Sequence, residues 1–219
     1  MATSPPDRVL PERPTLEFEE PFWRSGFSCV AGVDEVGRGA LAGPLVAAAV
    51  VLPPSHGHAG TRMRRALDGV RDSKLMTTAQ RRDMAERIRE TALGWAIAAI
   101  EADELDRIGV ASANRIAMEQ AVEALGIPAD ALLIDARVIE TQHPQVGLIK
   151  GDQRSLSVAC AAILAKVHRD AVMVAQHEAD GRYRFDAHKG YGTTLHLRAI
   201  ARHGPCQLHR RSFRLRGQR

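Results

Sequence analysis

The chain has 219 residues, of which 45% are hydrophobic, 26% are charged and only 4% are aromatic. This composition is typical of one soluble globular domain whose core is built from Ala, Val, Leu and Ile. Apolar runs are shorter than the roughly 20 residues of a membrane span, the first residues lack the order of a signal peptide, and the three cysteines lie far apart. We therefore expect a cytoplasmic protein without a membrane segment, a disulfide framework or a zinc knuckle.

The formal net charge of +4 is unevenly distributed along the chain. Residues 187–219 contain eight lysines and arginines and no acidic residue, so they carry +8 and leave −4 for residues 1–186. A basic end on an acidic body indicates a polyanionic partner, chiefly nucleic acid. A disordered, solubilising tail is the alternative interpretation.

The domain organisation follows from proline and glycine placement. Residues 1–25 contain five prolines among scattered charges, which predicts an extended, flexible N-terminal extension. Residues 26–219 are predicted to form a single domain that includes the basic C-terminal helical segment. Its first two strands, at 28–34 and 41–52, form an antiparallel pair turned by the glycines between them.

The remaining elements alternate between helices and strands. Residues 53–72 contain a polar loop. Apolar periodicity, N-cap residues and helix-ending signals then predict a helix from Thr77 or Thr78 to Thr91, a strand at 93–100, a helix at 111–125, strands at 131–134 and 146–149, a helix at 155–179, a glycine-flanked loop at 188–193 and a helix at 194–202. The strand that enters Asp135 follows a helix, which indicates a parallel crossover with Asp135 at its carboxyl end.

Asp34 and Glu35 end the first apolar segment, just before Gly37 and Gly39. Adjacent side chains of a strand point to opposite faces, so the two carboxylates converge only where the strand ends or bends. Carboxylates this close repel each other unless a proton or a cation lies between them, and Mg²⁺ prefers oxygen ligands. The pattern therefore indicates a metal site, with a solvated acidic turn as the alternative.

Two later apolar segments also run into carboxylates, at Asp135 and Asp152. If these strands lie side by side, four carboxylates meet at one edge of the sheet, and two divalent ions roughly 4 Å apart are the usual compensation. For Asp152, a surface position balanced by Lys150 and Arg154 is equally compatible with the sequence.

Seven motifs in order resemble those of bacterial ribonuclease HII and span residues 29–213. They are Ala-Gly-Val-Asp-Glu-Val-Gly-Arg-Gly with Leu-Ala-Gly-Pro (31–44), Asp-Ser-Lys (72–74), Leu-Ile-Asp (133–135), Lys-Gly-Asp (150–152), Ala-Ala-Ile-Leu-Ala-Lys-Val-His-Arg-Asp (161–170), His-Lys-Gly-Tyr-Gly-Thr (188–193) and His-Arg-Arg-Ser-Phe (209–213). The chain departs from the family at Ala136, where members usually have glycine.

The resemblance implies an α/β, ribonuclease H-like fold: a mixed five-stranded sheet whose first three strands are antiparallel, flanked by helices, with a small C-terminal helical part. It implies hydrolysis of RNA in RNA/DNA hybrids, and cleavage on the 5′ side of ribonucleotides embedded in duplex DNA. Two Mg²⁺ or Mn²⁺ ions would act in catalysis, and the products would be 3′-hydroxyl and 5′-phosphate ends. We expect a monomer.

The resemblance also assigns roles residue by residue. Asp34, Glu35, Asp135 and Asp152 become the catalytic, metal-binding carboxylates, with the ions bridged by Asp34 and Asp135. The Gly-Arg-Gly segment would read the 2′-hydroxyl together with Tyr191, which would stack on the following deoxyribose. Lys74 and the basic C-terminal helix would hold phosphates. The full substrate-binding set comprises Gly37, Arg38, Gly39, Ser73, Lys74, Lys166, Lys189 and Tyr191.

Other hypotheses are kept beside this one. On the same fold they are a ribonuclease HIII-like enzyme, an exonuclease and a junction resolvase; a non-catalytic nucleic-acid-binding module would explain the basic tail without the carboxylates. Lys166, Arg169 and Asp170 are interpreted first as a structural ion-pair set. His188 and His209 lie among basic residues and are predicted to be solvated or to contact phosphates.

Overall fold

The computed structural model describes residues 10–136 and 138–213. Five strands form one sheet in the spatial order third, second, first, fourth, fifth. The first three strands are antiparallel to one another, and the last two run parallel to the first, so the predicted mixed sheet is confirmed. The strands are β1 (Val30–Val36), β2 (Leu45–Val51), β3 (Gly94–Ile100), β4 (Ala131–Asp135) and β5 (Gln145–Leu148).

Helices surround the sheet. Within the described residues they are α1 (Glu19–Arg24), α2 (Gly57–Ala66), α3 (Thr78–Thr91), α4 (Ala102–Ile108), α5 (Val110–Glu123), α6 (Leu156–Ala179), α7 (Phe185–His188) and α8 (Thr194–His203). None of them is long and apolar enough to cross a bilayer.

The predicted polar loop after β2 is wrong, because α2 lies there. Its sequence is largely polar, and only Gly60 and Met63 are buried, so the helix gives little apolar periodicity for a sequence reading to detect. The short helices α4 and α7 were not predicted either.

Each face of the sheet carries its own apolar layer. Alternate residues of β2 point to opposite sides, so Val46 and Val50 pack with α3 and α6 while Ala47 and Val51 pack with α5. The approach of α6 to β1 is very close at Gly32, where an added Cβ would lie 2.2 Å from the carbonyl carbon of Ser157. Only glycine therefore allows the start of α6 to lie against the strand that carries Asp34.

The structure differs from the predicted N-terminal extension in its second half. Leu16 and Trp23 are buried in the α6-side core, and buried Glu19 accepts hydrogen bonds from the hydroxyls of Ser155 and Ser157 at 2.6 and 2.7 Å. These contacts join α1 to the first turn of α6, because a buried carboxylate needs hydrogen-bond donors. Residues 1–9 of the predicted extension lie outside the described residues.

Candidate active site

Three carboxylates meet where two parallel strands separate. The β1–β4 pairing ends at Val33 and Ile134, so Asp34, Glu35 and Asp135 are the first residues beyond the paired region. One oxygen of each carboxylate lies within 4.8 Å of the others. Adjacent residues of β1 thus converge on one point beyond the last pair of β1 with β4, although both are still paired with β2 and the strand continues to Val36.

Burial and mutual repulsion disfavour the charged forms of these carboxylates. The pKa of Asp34 is raised well above its ordinary value, first by burial and then by the charges of Asp135, Glu35 and Asp152. Burial, followed by the charge of Asp135, raises the pKa of Glu35, and burial is also the largest cause of the raised pKa of Asp135. A site that combines converging oxygens with excess negative charge matches a hard divalent cation.

Asp152 lies next to the three carboxylates but outside their immediate group. It belongs to a 3₁₀ turn (Gly151–Gln153) after β5, is 6% exposed, and accepts a hydrogen bond from Lys74 Nζ at 3.0 Å. The alternative of a surface residue is therefore wrong. The same turn donates the backbone N–H of Gly151 to Asp135 at 2.6 Å, which orients that carboxylate.

The backbone conformation of Ala136 explains why members of the family usually have glycine after the third carboxylate. Its φ is +62°, in the left-handed region, and its N–H donates to the carbonyl of Leu148 at 2.8 Å. Alanine adopts this conformation at a strain of about 1–2 kcal/mol. The backbone beside Asp135 thus follows the turn that glycine would make more easily.

The Gly-Arg-Gly segment follows β1 directly. Its first glycine is tightly enclosed and has a positive φ, whereas its second glycine has open space around it. Gly37 has φ +85°, and an added Cβ would lie 2.1 Å from Arg169 Nε, whereas Gly39 has nothing within 4 Å. Arg38 between them is exposed, and its charge lowers the pKa of Glu35, against the larger effect of burial.

Two buried arginines hold this segment through backbone carbonyls. Arg169 donates to Pro44, Ala42 and Lys189 at 2.8–2.9 Å, and Arg210 donates to Gly43 and Arg38 at 2.8–3.1 Å. Neither forms a salt bridge within residues 10–136 and 138–213, so the predicted ion-pair role of Arg169 is wrong. Arg210 lies in the basic C-terminal part of the chain, but its side chain is buried and bound to carbonyls.

Tyr191 lies in the loop that borders the Gly-Arg-Gly segment. The carbonyl of Gly190 accepts the N–H groups of Leu41 and Ala42 at 2.9 and 3.2 Å, which joins the two loops. The guanidinium carbon of Arg169 and Nζ of Lys166 lie 5.3 and 5.8 Å from the Tyr191 ring centre. The tyrosine ring is therefore flanked by two cations beside the segment that precedes β2.

The other predicted substrate-binding residues differ in exposure. Lys74 is largely exposed, whereas Ser73 is buried and its carbonyl accepts a hydrogen bond from Arg81. Lys166 is paired with Asp170 at 2.8 Å, in agreement with the ion-pair interpretation. The ammonium of Lys189 donates to the carbonyl of Asp186.

Asn114 of α5 is a site residue that the sequence reading missed. Its side chain hydrogen-bonds to Glu35 and lowers the pKa of that carboxylate, and its own Oδ1 is buried without a partner among the described residues. A single asparagine within a helical pattern gives no signal in a sequence, because only the fold shows that Asn114 lies beside Glu35.

Comparison with known proteins agrees with this geometry. The ribonuclease HII family model matches residues 31–216. The chain is 46% identical over 202 residues to a ribonuclease HII of Roseiflexus castenholzii, covering 92% of this chain and 88% of the relative. It is 44% identical over 204 residues to that of Chlorobaculum parvum, covering 92% and 97%.

The fold agrees with solved structures as well. The crystal structure of ribonuclease H2 from Pyrococcus horikoshii matches with a TM-score of 0.71 at 23% identity, over 84% of this chain and 93% of that one. Fold and carboxylate site together define a metal-dependent endonuclease with the ribonuclease H fold. Within that class the chain belongs to the ribonuclease HII family, and it is accordingly an endoribonuclease that acts on RNA/DNA hybrids.

Proposed function

We propose that the chain also cleaves on the 5′ side of single ribonucleotides embedded in duplex DNA. In this proposal, catalysis uses two Mg²⁺ or Mn²⁺ ions and leaves 3′-hydroxyl and 5′-phosphate ends. The observation that carries the proposal is the convergence of Asp34 and Glu35 of β1 with Asp135 of β4, where β1 leads directly into a loop hydrogen-bonded to the Tyr191 loop. Cleavage chemistry and sugar recognition would thus lie side by side.

The four carboxylates would hold the cations. Asp34, Glu35 and Asp135, whose oxygens converge, would be the main ligands, and Asp152 beside them would add a fourth carboxylate. When bound, such cations activate a water for attack on phosphorus and neutralise the charge that develops on the leaving oxygen. Asp152 is kept oriented by Lys74, and the exposed ammonium of Lys74 is available to a substrate phosphate.

Recognition of the sugar would depend on close approach of the backbone. Gly39 has open space around it and Arg38 is exposed, so the backbone at Gly39 could be approached by a 2′-hydroxyl, the group that distinguishes RNA from DNA. Tyr191 would stack on the next deoxyribose. Lys166, Lys189 and Ser73 would support this surface. We propose that the enzyme acts as a monomer.

The test is cleavage of a labelled DNA duplex that contains one ribonucleotide. Wild type with Mg²⁺ or Mn²⁺ should cut on its 5′ side, chelation should stop the reaction, and Asp34→Asn should reduce the rate by about 10³-fold or more, as loss of an electrostatic catalytic group does. Asp83→Asn is the matched control, because this carboxylate is exposed on α3, and it should leave the rate unchanged.

The same assay separates the alternatives. Full cleavage by Asp34→Asn, or cleavage of hybrids but never of the single-ribonucleotide duplex, would contradict the proposal. Degradation of all-DNA duplexes from their ends would indicate an exonuclease, and selective cleavage of four-way junctions a resolvase. Binding without cleavage would indicate a non-catalytic module.

A further inference from the structure

A buried cluster of three histidines lies behind the Tyr191 loop. His188, His196 and His209 are all less than 10% exposed, which contradicts the solvated or phosphate-binding roles predicted for His188 and His209. The rings of His188 and His196 are stacked with centroids 4.3 Å apart, and Phe185 packs edge-on against His196. This apolar enclosure leaves each ring nitrogen dependent on a protein partner.

The hydrogen-bond partners assign the proton on His196 and His209. Nδ1 of His209 accepts the N–H of Cys206 at 2.9 Å, so the proton of its neutral ring is on Nε2. That Nε2 lies 3.1 Å from Nε2 of His196, which therefore accepts and carries its own proton on Nδ1. The Nδ1–H of His196 points to the carbonyl of Tyr191 at 3.0 Å.

His188 binds the backbone of Gly190, the residue before Tyr191. Its Nε2 donates to the carbonyl of Tyr183 at 2.7 Å, and its Nδ1 accepts the N–H of Gly190 at 3.2 Å. An added proton on any of the three rings would place two hydrogens on one of these contacts. Burial accordingly lowers the pKa of all three histidines, that of His196 to about 4.

We propose that His188, His196 and His209 are positioning residues that hold the Gly190–Tyr191 backbone at the distance from the Gly-Arg-Gly loop required for ribonucleotide recognition. The two loops approach so closely at Gly190 that a Cβ added there would lie 2.2 Å from the carbonyl oxygen of Ala42. The peptide is held by histidines on one side and by the Leu41 and Ala42 N–H groups on the other. The inference rests on the recognition role of Tyr191 in the proposed function.

The first experiment compares three variants in steady-state cleavage of the single-ribonucleotide duplex. His196→Leu removes the donor to Tyr191 and should raise KM by about tenfold, the fold-change of one lost hydrogen bond, with kcat changed less than about twofold. His196→Asn keeps an N–H near the position of Nδ1 and should restore KM to within about threefold of wild type. His209→Asn keeps the acceptor for Cys206 but removes the donor to His196, and it should raise KM even if His196→Leu fails to fold.

The second experiment repeats these changes in a Tyr191→Ala background. Since the histidines act through Tyr191, His196→Leu or His209→Asn should then change KM by less than about twofold. The same fold-change in both backgrounds, or a fall in kcat alone, would overturn the inference while leaving the proposed function intact. An unchanged KM for Tyr191→Ala by itself would overturn both the inference and the recognition role proposed for Tyr191. Rates are measured well below the unfolding midpoint of every variant.

Discussion

Gly37→Ala is the sharpest test of how the recognition loop is built. Alanine at φ +85° is strained by about 1–2 kcal/mol. Its Cβ would also lie 2.1 Å from Nε, 2.7 Å from Cδ and 2.9 Å from Cζ of Arg169. Arg169 cannot move aside freely, because its guanidinium is hydrogen-bonded to three backbone carbonyls in a buried position.

The expected magnitude follows from these two effects. Overpacking of a buried site destabilises by about 1–3 kcal/mol, so together with the backbone strain the free energy of unfolding should fall by roughly 2–5 kcal/mol. In a chain of this size each kcal/mol lowers the unfolding midpoint by about 2–4 °C. The variant should therefore melt roughly 4–20 °C below wild type and cleave poorly, since the loop carbonyls move with Arg169.

Gly39→Ala is the control, two residues away in the same motif. No atom lies within 4 Å of its added Cβ and its φ is not positive, so the free energy of unfolding should stay within about 0.5 kcal/mol of wild type. Thermal and urea denaturation followed by circular dichroism measure both variants. Equal stability of the two alanine variants would refute the argument that Arg169 fills the space beneath Gly37.

Further predictions concern the carboxylates and α1. In the presence of a chelator, Asp34→Asn should raise the unfolding midpoint, because it removes a buried charge repelled by Asp135 and Glu35. Mg²⁺ near saturation should stabilise wild type by about 1–3 kcal/mol but should not stabilise the variant. Scanning calorimetry measures both effects. Since the pKa values of all three carboxylates are raised, the folded metal-free protein binds extra protons and loses stability as pH rises through those pKa values. Protons then compete with the cation, so the calorimetric Mn²⁺ affinity should weaken as the pH is lowered; an affinity independent of pH would contradict the raised pKa values. Glu19→Ala should destabilise by about 2–4 kcal/mol in urea titration, because it leaves the Ser155 and Ser157 donors unpaired, whereas Glu19→Gln keeps the acceptor and should lose less than half as much.

Local patterns were sufficient for the elements that carry the carboxylates proposed to be catalytic. Asp34 and Asp135 each follow a short apolar run, and the parallel β1–β4 pairing places such run ends at one edge. The prediction of a mixed sheet is confirmed for the same reason. By contrast α1 and α2 were missed, because a proline-rich context and a polar helix provide little periodic signal.

The roles of individual side chains were harder to predict from the sequence than the positions where strands end. Arg210 and His209 stand among basic residues in the sequence, which favours solvent or phosphate as their partners, whereas Arg169 stands beside Asp170, which favours an ion pair. In the structure they are buried, and the two arginines bind carbonyls of residues more than 120 positions away, Arg169 at Pro44 and Arg210 at Gly43. No spacing rule connects such distant partners.

By itself, the sequence determined the order of the five strands and of the helices α3, α5, α6 and α8, the four acidic positions and the family resemblance, because motifs and periodicity are local properties of the chain. Only the tertiary structure decided that Asp152 lies apart from the group of three, that Gly37 but not Gly39 is sterically required, and that buried arginines and neutral histidines hold the Tyr191 loop. Burial and hydrogen-bond partners depend on which distant segments pack together, and this packing determines whether a charged or polar side chain faces solvent or supports the site.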